Sequence, residues 1–166
     1  MAYRIEVSME MKGERALESY FDHVQHVPDD FRGAWEPMSE DFWQQNRETF
    51  AEQGPGWRPL TYHYAKWKEA HYPGMPILVR TGALQASLTD GTADGAIYDV
   101  RPLTLELGTD LKTKDGYTLG TLHQFGSVKV RDHPPKRPPV RITPQLQKNW
   151  NRRLVNWLRD EMDYRG

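Results

Sequence analysis

Thr143-Pro144 fixes one end of this chain's architecture. Threonine is a favoured helix N-cap, and proline suits the first helical position, where its missing N–H has no intrahelical partner to lose. Behind that start, Leu146, Trp150, Leu154, Trp157, Leu158 and Met162 keep one apolar face at helical spacing. The spacing predicts a long amphipathic C-terminal helix over 143–164. Such a stripe must be covered by another layer of secondary structure.

The rest of the chain supplies candidates for that layer. Tyr3, Ile5, Val7 and Met9 alternate with polar residues, as in a half-buried strand, and from Lys12 the period changes so that Leu17, Tyr20, Phe21 and Val24 share a helical face. Phe31, Trp35, Met38, Phe42 and Phe50 continue a helical spacing to Gln53, with Pro37 predicting a kink or a junction of two helices. Gly54-Pro55-Gly56 breaks the pattern, and Thr61 can cap a short helix carrying Tyr64 and Trp67 that ends at Tyr72-Pro73-Gly74. Thr81 is a second N-cap candidate, ahead of Leu84 and Leu88. Residues 96–100 read as a short strand. Leu103, Leu105 and Leu107 read as a second, turned back at Arg101-Pro102 and ended by Gly108-Thr109-Asp110. Leu119, Leu122 and Phe125 fit a short helix stopped by Gly126, and a polar, proline-rich loop fills 127–139.

Strand, helices, strands, helix, with no repeating strand–helix alternation, predicts an α+β fold: a small antiparallel β-sheet flanked by α-helices. One domain over 1–166 is expected, with an N-terminal strand and helices in 1–53, a central part in 54–142 and the terminal helix.

Composition narrows what such a domain does. Hydrophobic residues make up 37% and charged residues 27%, yet there are six Trp, eight Tyr and five Phe. The core is therefore expected to be thin and aromatic, with part of its apolar surface completed by another subunit. A net charge of −1 gives no global attraction to nucleic acid or acidic lipid. The absence of cysteine removes disulfides, thiolate metal sites and a cysteine nucleophile. No apolar run nears the roughly 18 residues that span a bilayer, and the first residues carry no signal-peptide core, so an intracellular, membrane-free protein is expected.

Chemistry-bearing motifs are scarce. None of the six histidines falls in a metal-ligand spacing; His23 and His26, three apart, fit a solvated helix end better than a shared metal. There is no nucleophile elbow, Walker loop or dinucleotide fingerprint, and acids such as Glu36, Glu40, Asp41 and Glu48 suit a solvated face. No enzymatic activity and no cofactor are expected. Lys129, Arg131, Lys136, Arg137 and Arg141 form a basic loop that offers phosphate contacts, so a nucleic-acid-binding module using 129–141 is the alternative function. The loop itself lacks aromatics to stack on bases. Trp57, Trp67, Trp150 and Trp157 read either as interface anchors or as core, since three of them fall on helical stripes; core is favoured for Trp150, and Trp57 stays open.

An ordered series of short motifs is more informative. Gly54-Pro55-Gly56-Trp57-Arg58-Pro59-Leu60-Thr61 comes first, then Ile77-Leu78-Val79-Arg80-Thr81-Gly82-Ala83-Leu84-Gln85-Ala86-Ser87-Leu88. Gly108-Thr109-Asp110, Tyr117, His123-Gln124-Phe125-Gly126 and a proline-arginine stretch over 134–139 follow. Across about residues 45–164 this series resembles the phage virion-morphogenesis family, which is similar to the tail-completion and neck proteins of long-tailed phages. The charged segment 111–116 and the Pro139-Val140 that follows Arg137-Pro138 depart from that family's pattern.

The resemblance implies a structural subunit of the virion, assembled in the host cytoplasm, that completes or terminates the tail and joins it to the head connector. It implies self-association into a closed ring, a hexamer, and contacts with other neck and tail proteins. No membrane and no specific nucleic acid are implied beyond incidental contact with packaged DNA. Structural roles fall to Gly54, Gly56, Trp57, Leu60, Thr81, Gly82, Leu84, Gly108, Thr109, His123, Gln124 and Gly126. Exposed strands over 96–107 and loops carrying Lys112, Lys114, Tyr117, Lys129, Arg131, Lys136, Arg137 and Arg141 are expected to form the partner interface.

Overall fold

The computed structural model describes residues 29–126 and 134–165, with side chains described as far as Glu161. The expected N-terminal strand and first helix, His23, His26, Lys129 and Arg131 lie outside the described residues. Those that are described form an α+β fold of five helices and one two-stranded antiparallel sheet.

Helix α1 spans Arg32–Ala51 and contains Pro37 in its second turn, so the expected junction of two helices is instead one element. Proline there cannot donate to the Gly33 carbonyl, and packing outweighs that loss. Ala34, Met38, Phe42 and Phe50 are all buried along one side. Helix α5, Pro144–Arg165, lies antiparallel to α1: Thr143 Oγ1 meets Gln45 Oε1 at 3.3 Å, and Arg153 grips Asp41 through two hydrogen bonds of 2.6 and 2.7 Å. Thr143 also accepts from the Leu146 N–H at 3.1 Å, as its N-cap position predicts. Leu146, Trp150, Leu154 and Leu158 are buried on the apolar face.

Helix α2 is Tyr62–His71, capped by Thr61, whose side chain accepts from Tyr64 N. Helix α3 is Ala83–Thr89. Its N-cap is Gly82 at φ +84, not Thr81, because the chain enters in a left-handed turn; the Thr81 hydroxyl sits one residue outside, 3.5 Å from Ala83 N. At its other end, α3 leaves carbonyls that need partners. Asn46 and Arg47 of α1 supply them, donating to Leu88 O at 2.9 Å and Thr89 O at 3.0 Å. The short apolar run before α3 turns at Leu78, whose φ of +61 rules out an extended strand.

Strand β1, Ala96–Val100, pairs with β2, Leu105–Thr109, in a register running from Ala96↔Thr109 to Val100↔Leu105. Leu103 belongs to the connecting loop and is exposed, and β2 ends at Thr109, within the Gly108-Thr109-Asp110 stretch expected to end it. Thr109 Oγ1 accepts from the Ser87 hydroxyl at 2.9 Å, which holds β2 against α3. Helix α4, Leu119–Phe125, stops at Gly126 (φ +73), but Phe125 points out and is 65% exposed instead of joining the core.

The main core lies between α1, α3, β2 and α5. A satellite cluster of Ala34, Leu154 and Leu158, with Phe31, Trp35 and Trp157 against it, closes the far end of the α1–α5 seam. No helix among the described residues is long and apolar enough to cross a membrane.

Candidate functional site

Two distant parts of the motif series, at Gly54 and Pro138, meet at one aromatic ring, that of Trp57. Gly54 ends the α1 exit turn at φ +66, with its N–H bonded to Thr49 O at 2.8 Å. A Cβ at Gly54 would overlap the Trp57 indole, so glycine here serves both the left-handed backbone and the close approach of the ring. Trp57 is buried, edge-on to Phe50 at 5.8 Å, and donates from Nε1 to Pro138 O at 3.0 Å. Core, not interface anchor, is its role. Gly56 has φ +78 and open space around it, and Leu60 is half-buried just beyond.

Pro138 belongs to the proline-arginine stretch, and that stretch is sewn to α4. Gln124 pairs with the Val140 backbone both ways: its Nε2 donates to Val140 O at 3.1 Å, and Val140 N donates to its Oε1 at 3.3 Å. The backbone N–H of Arg137 donates to His123 O at 2.8 Å. Gly126 approaches the Lys136 backbone so closely that a Cβ would lie 3.0 Å from its nitrogen.

Arg137 corrects the expected interface. It is 7% exposed, and its guanidinium donates from Nε to Arg58 O at 2.7 Å and from Nη2 to Pro59 O at 3.0 Å. A charged donor satisfying two carbonyls of a turn is a structural clamp. Lys68 is treated alike: it is buried, and its ammonium donates to Pro76 O. Burial lowers the proton affinity of both, and the Arg137 charge adds to the effect on Lys68. His123 is pushed down to about 4 by burial first and then by Arg137. Its Nδ1 is buried with no hydrogen-bond partner among the described residues, and its structural contact with the proline-arginine stretch is made by its backbone carbonyl.

The other expected interface residues among those described face solvent. Lys112 is exposed and bridges to Thr118, Lys114 is exposed, and Tyr117 is 45% exposed on a loop closed by Thr113. Lys136 and Arg141 are exposed on either side of the buried Arg137. The basic loop therefore does not present a continuous row of cations.

Sequence reading missed a surface. Trp67, open from its sequence to a core or an interface role, is 40% exposed, stacked on Tyr64 at 5.5 Å and on His71 at 4.7 Å. Tyr62 and Met75 beside it are more exposed still. Lys68 is the one residue of α2 that is buried, and among the described residues no extended packing joins this helix to another helix or strand. The helix is an arm carrying an uncovered aromatic ladder. Its sequence signal was the lack of apolar partners on the Tyr64–Trp67 stripe.

Among the described residues, no three His, Asp or Glu side chains gather in a way that would hold a metal ion. Comparison with family models, curated proteins and solved structures gave no match.

Proposed function

We propose that this chain is a structural subunit of a tailed-phage particle, acting at the head–tail junction to complete or terminate the tail and join it to the head connector. One observation carries the reading: the motif series that resembles the virion-morphogenesis family folds into one frame around Trp57. Trp57 with Pro138, Arg137 with Arg58 and Pro59, and His123 with Arg137 are contacts between members of the series that lie far apart in sequence. The side-chain polar groups of Trp57, Gln124 and Arg137 are occupied by backbone carbonyls and amides. Residues used this way hold surfaces in place, and the outward-facing Tyr117, Phe125 and α2 aromatics are the surfaces held.

Electron microscopy of lysates from infections in which the gene is silenced tests the proposal. DNA-filled heads accumulating beside free tails of normal length are expected. Intact virions in normal numbers would sink it.

A further inference from the structure

From the structure we infer that the α2 arm of one copy docks on the β1–β2 hairpin of a second copy, head to tail. This rests on the ring-forming reading above and supplies its contact surfaces.

Charge is the first argument. The exposed residues of 54–82 carry Arg58, Lys66 and Arg80 against Glu69, a surplus of two positive charges in a chain whose net charge is −1. Residues 90–110 carry Asp90, Asp94, Asp99, Glu106 and Asp110 against Arg101, a surplus of four negative charges. Asp99 and Glu106 stand directly opposite each other across the two strands, and Arg101 pairs with Asp99 and lies near Glu106 as well. The exposed Asp90, Asp94 and Asp110 at the hairpin's open end keep it acidic as a whole.

Apolar surface is the second. The arm exposes Tyr62, Tyr64, Trp67 and Met75, and the hairpin exposes Tyr98 and Leu103. Aromatic anchors ringed by complementary charges are the make-up of an interface centre and rim.

Placement is the third. The arm is rooted at the C-terminal end of α1, where Ile77 N reaches Gln53 Oε1 and Gly54 begins the turn. The hairpin tip is fixed to the N-terminal end of α1: Phe31 N donates to Pro102 O at 2.7 Å, and Trp35 Nε1 donates to Arg101 O at 3.0 Å. A helix of 20 residues separates them by roughly 30 Å. The arm of one copy thus sits at the opposite end of α1 from the tip of its own hairpin, whereas Asp90, Asp94 and Asp110 lie at the hairpin's open end, beyond the Ala96↔Thr109 pair, with Asp90 near Arg47; a neighbouring copy brings an arm to the hairpin. Repetition of such a heterologous contact closes into a ring when its rotation divides the circle.

The test is sedimentation velocity on the full chain and on two double variants. Lys66→Glu with Arg80→Glu reverses the arm; Asp94→Lys with Asp99→Lys reverses the hairpin. All four side chains lie outside the core, and circular dichroism checks that each variant is folded. Wild type should associate, each double variant should associate roughly tenfold or more weakly, and an equimolar mixture of the two should recover the assembly. Recovery is the signature, since only head-to-tail contacts re-pair a reversed arm with a reversed hairpin. A wild type that stays monomeric at its highest soluble concentration, variants that associate like wild type, or a mixture that stays dissociated each overturns the inference. Lysate micrographs judge the junction role separately, so failure of one is distinguishable from failure of the other.

Discussion

At the scale of single residues, the two glycines before Trp57 do different work although both lie in the left-handed region. Gly54→Ala faces the left-handed backbone cost of about 1–2 kcal/mol and also drives a methyl into the indole. Gly56→Ala meets open space and carries the backbone cost alone. Urea unfolding should therefore show Gly54→Ala less stable than Gly56→Ala by at least about 1 kcal/mol, a margin typical of overpacking. Equal midpoints would mean that the Trp57 approach is not tight. His123 makes a different prediction. Its folded pKa, about 4, lies below the usual 6.5, so the unfolded chain takes up the proton first as pH falls. The contribution of the neutral ring is complete above pH 6.5 and is lost between there and 4, on the order of 3 kcal/mol. Unfolding free energies measured from pH 7 to 4 should fall less steeply for His123→Gln than for wild type. Identical slopes would show that the ring is not buried neutral.

Among the elements, α1 carries an internal contradiction. Pro37 leaves the Gly33 carbonyl without its helical donor while the residues around it are well buried. Replacing it with alanine restores the donor, against a small entropy gain in the unfolded chain, and should stabilise by about 1–2 kcal/mol. A rise in melting temperature checks this; a fall would mean that the ring itself packs usefully. Elements whose signals are local were legible in the sequence. Thr143-Pro144 starts α5 because a cap and a fixed φ act within one turn, and β1 begins and ends where its reading put it. Gly54 and Gln124 were also legible as structural residues, through the motif series. What was not legible depended on distant partners. Arg137 reads as one cation in a basic loop until Arg58 and Pro59, nearly 80 residues earlier, turn their carbonyls towards it. Trp67 shows the converse: its stripe is helical, but no element among the described residues covers it. Periodicity reports that a face exists and is silent on what meets it.

The whole molecule is organised along the α1–α5 seam, which buries two clusters of unequal size. The main core gathers Met38, Phe42 and Phe50 with Leu146 and Trp150, and draws on α3 and β2 as well. The satellite has only Ala34, Leu154 and Leu158 at its centre, braced by Phe31, Trp35 and Trp157. Between them, Arg153 grips Asp41 on a surface largely open to water, where an ion pair contributes little stability. Stability should therefore be uneven along the seam, with local opening easier at the satellite end. That end also anchors the hairpin tip through the Phe31–Pro102 and Trp35–Arg101 hydrogen bonds. Leu158→Ala removes a side chain that is 3% exposed, a change that costs roughly 2–5 kcal/mol in a packed core. Native-state hydrogen exchange should place that loss chiefly in the first turns of α1 and the last turns of α5, with faster exchange extending to the loop at Arg101–Thr104. The amides around Phe42–Phe50 should change far less. Uniform acceleration through both clusters would show one cooperative core, in which case the position of the hairpin tip could not shift without unfolding the domain.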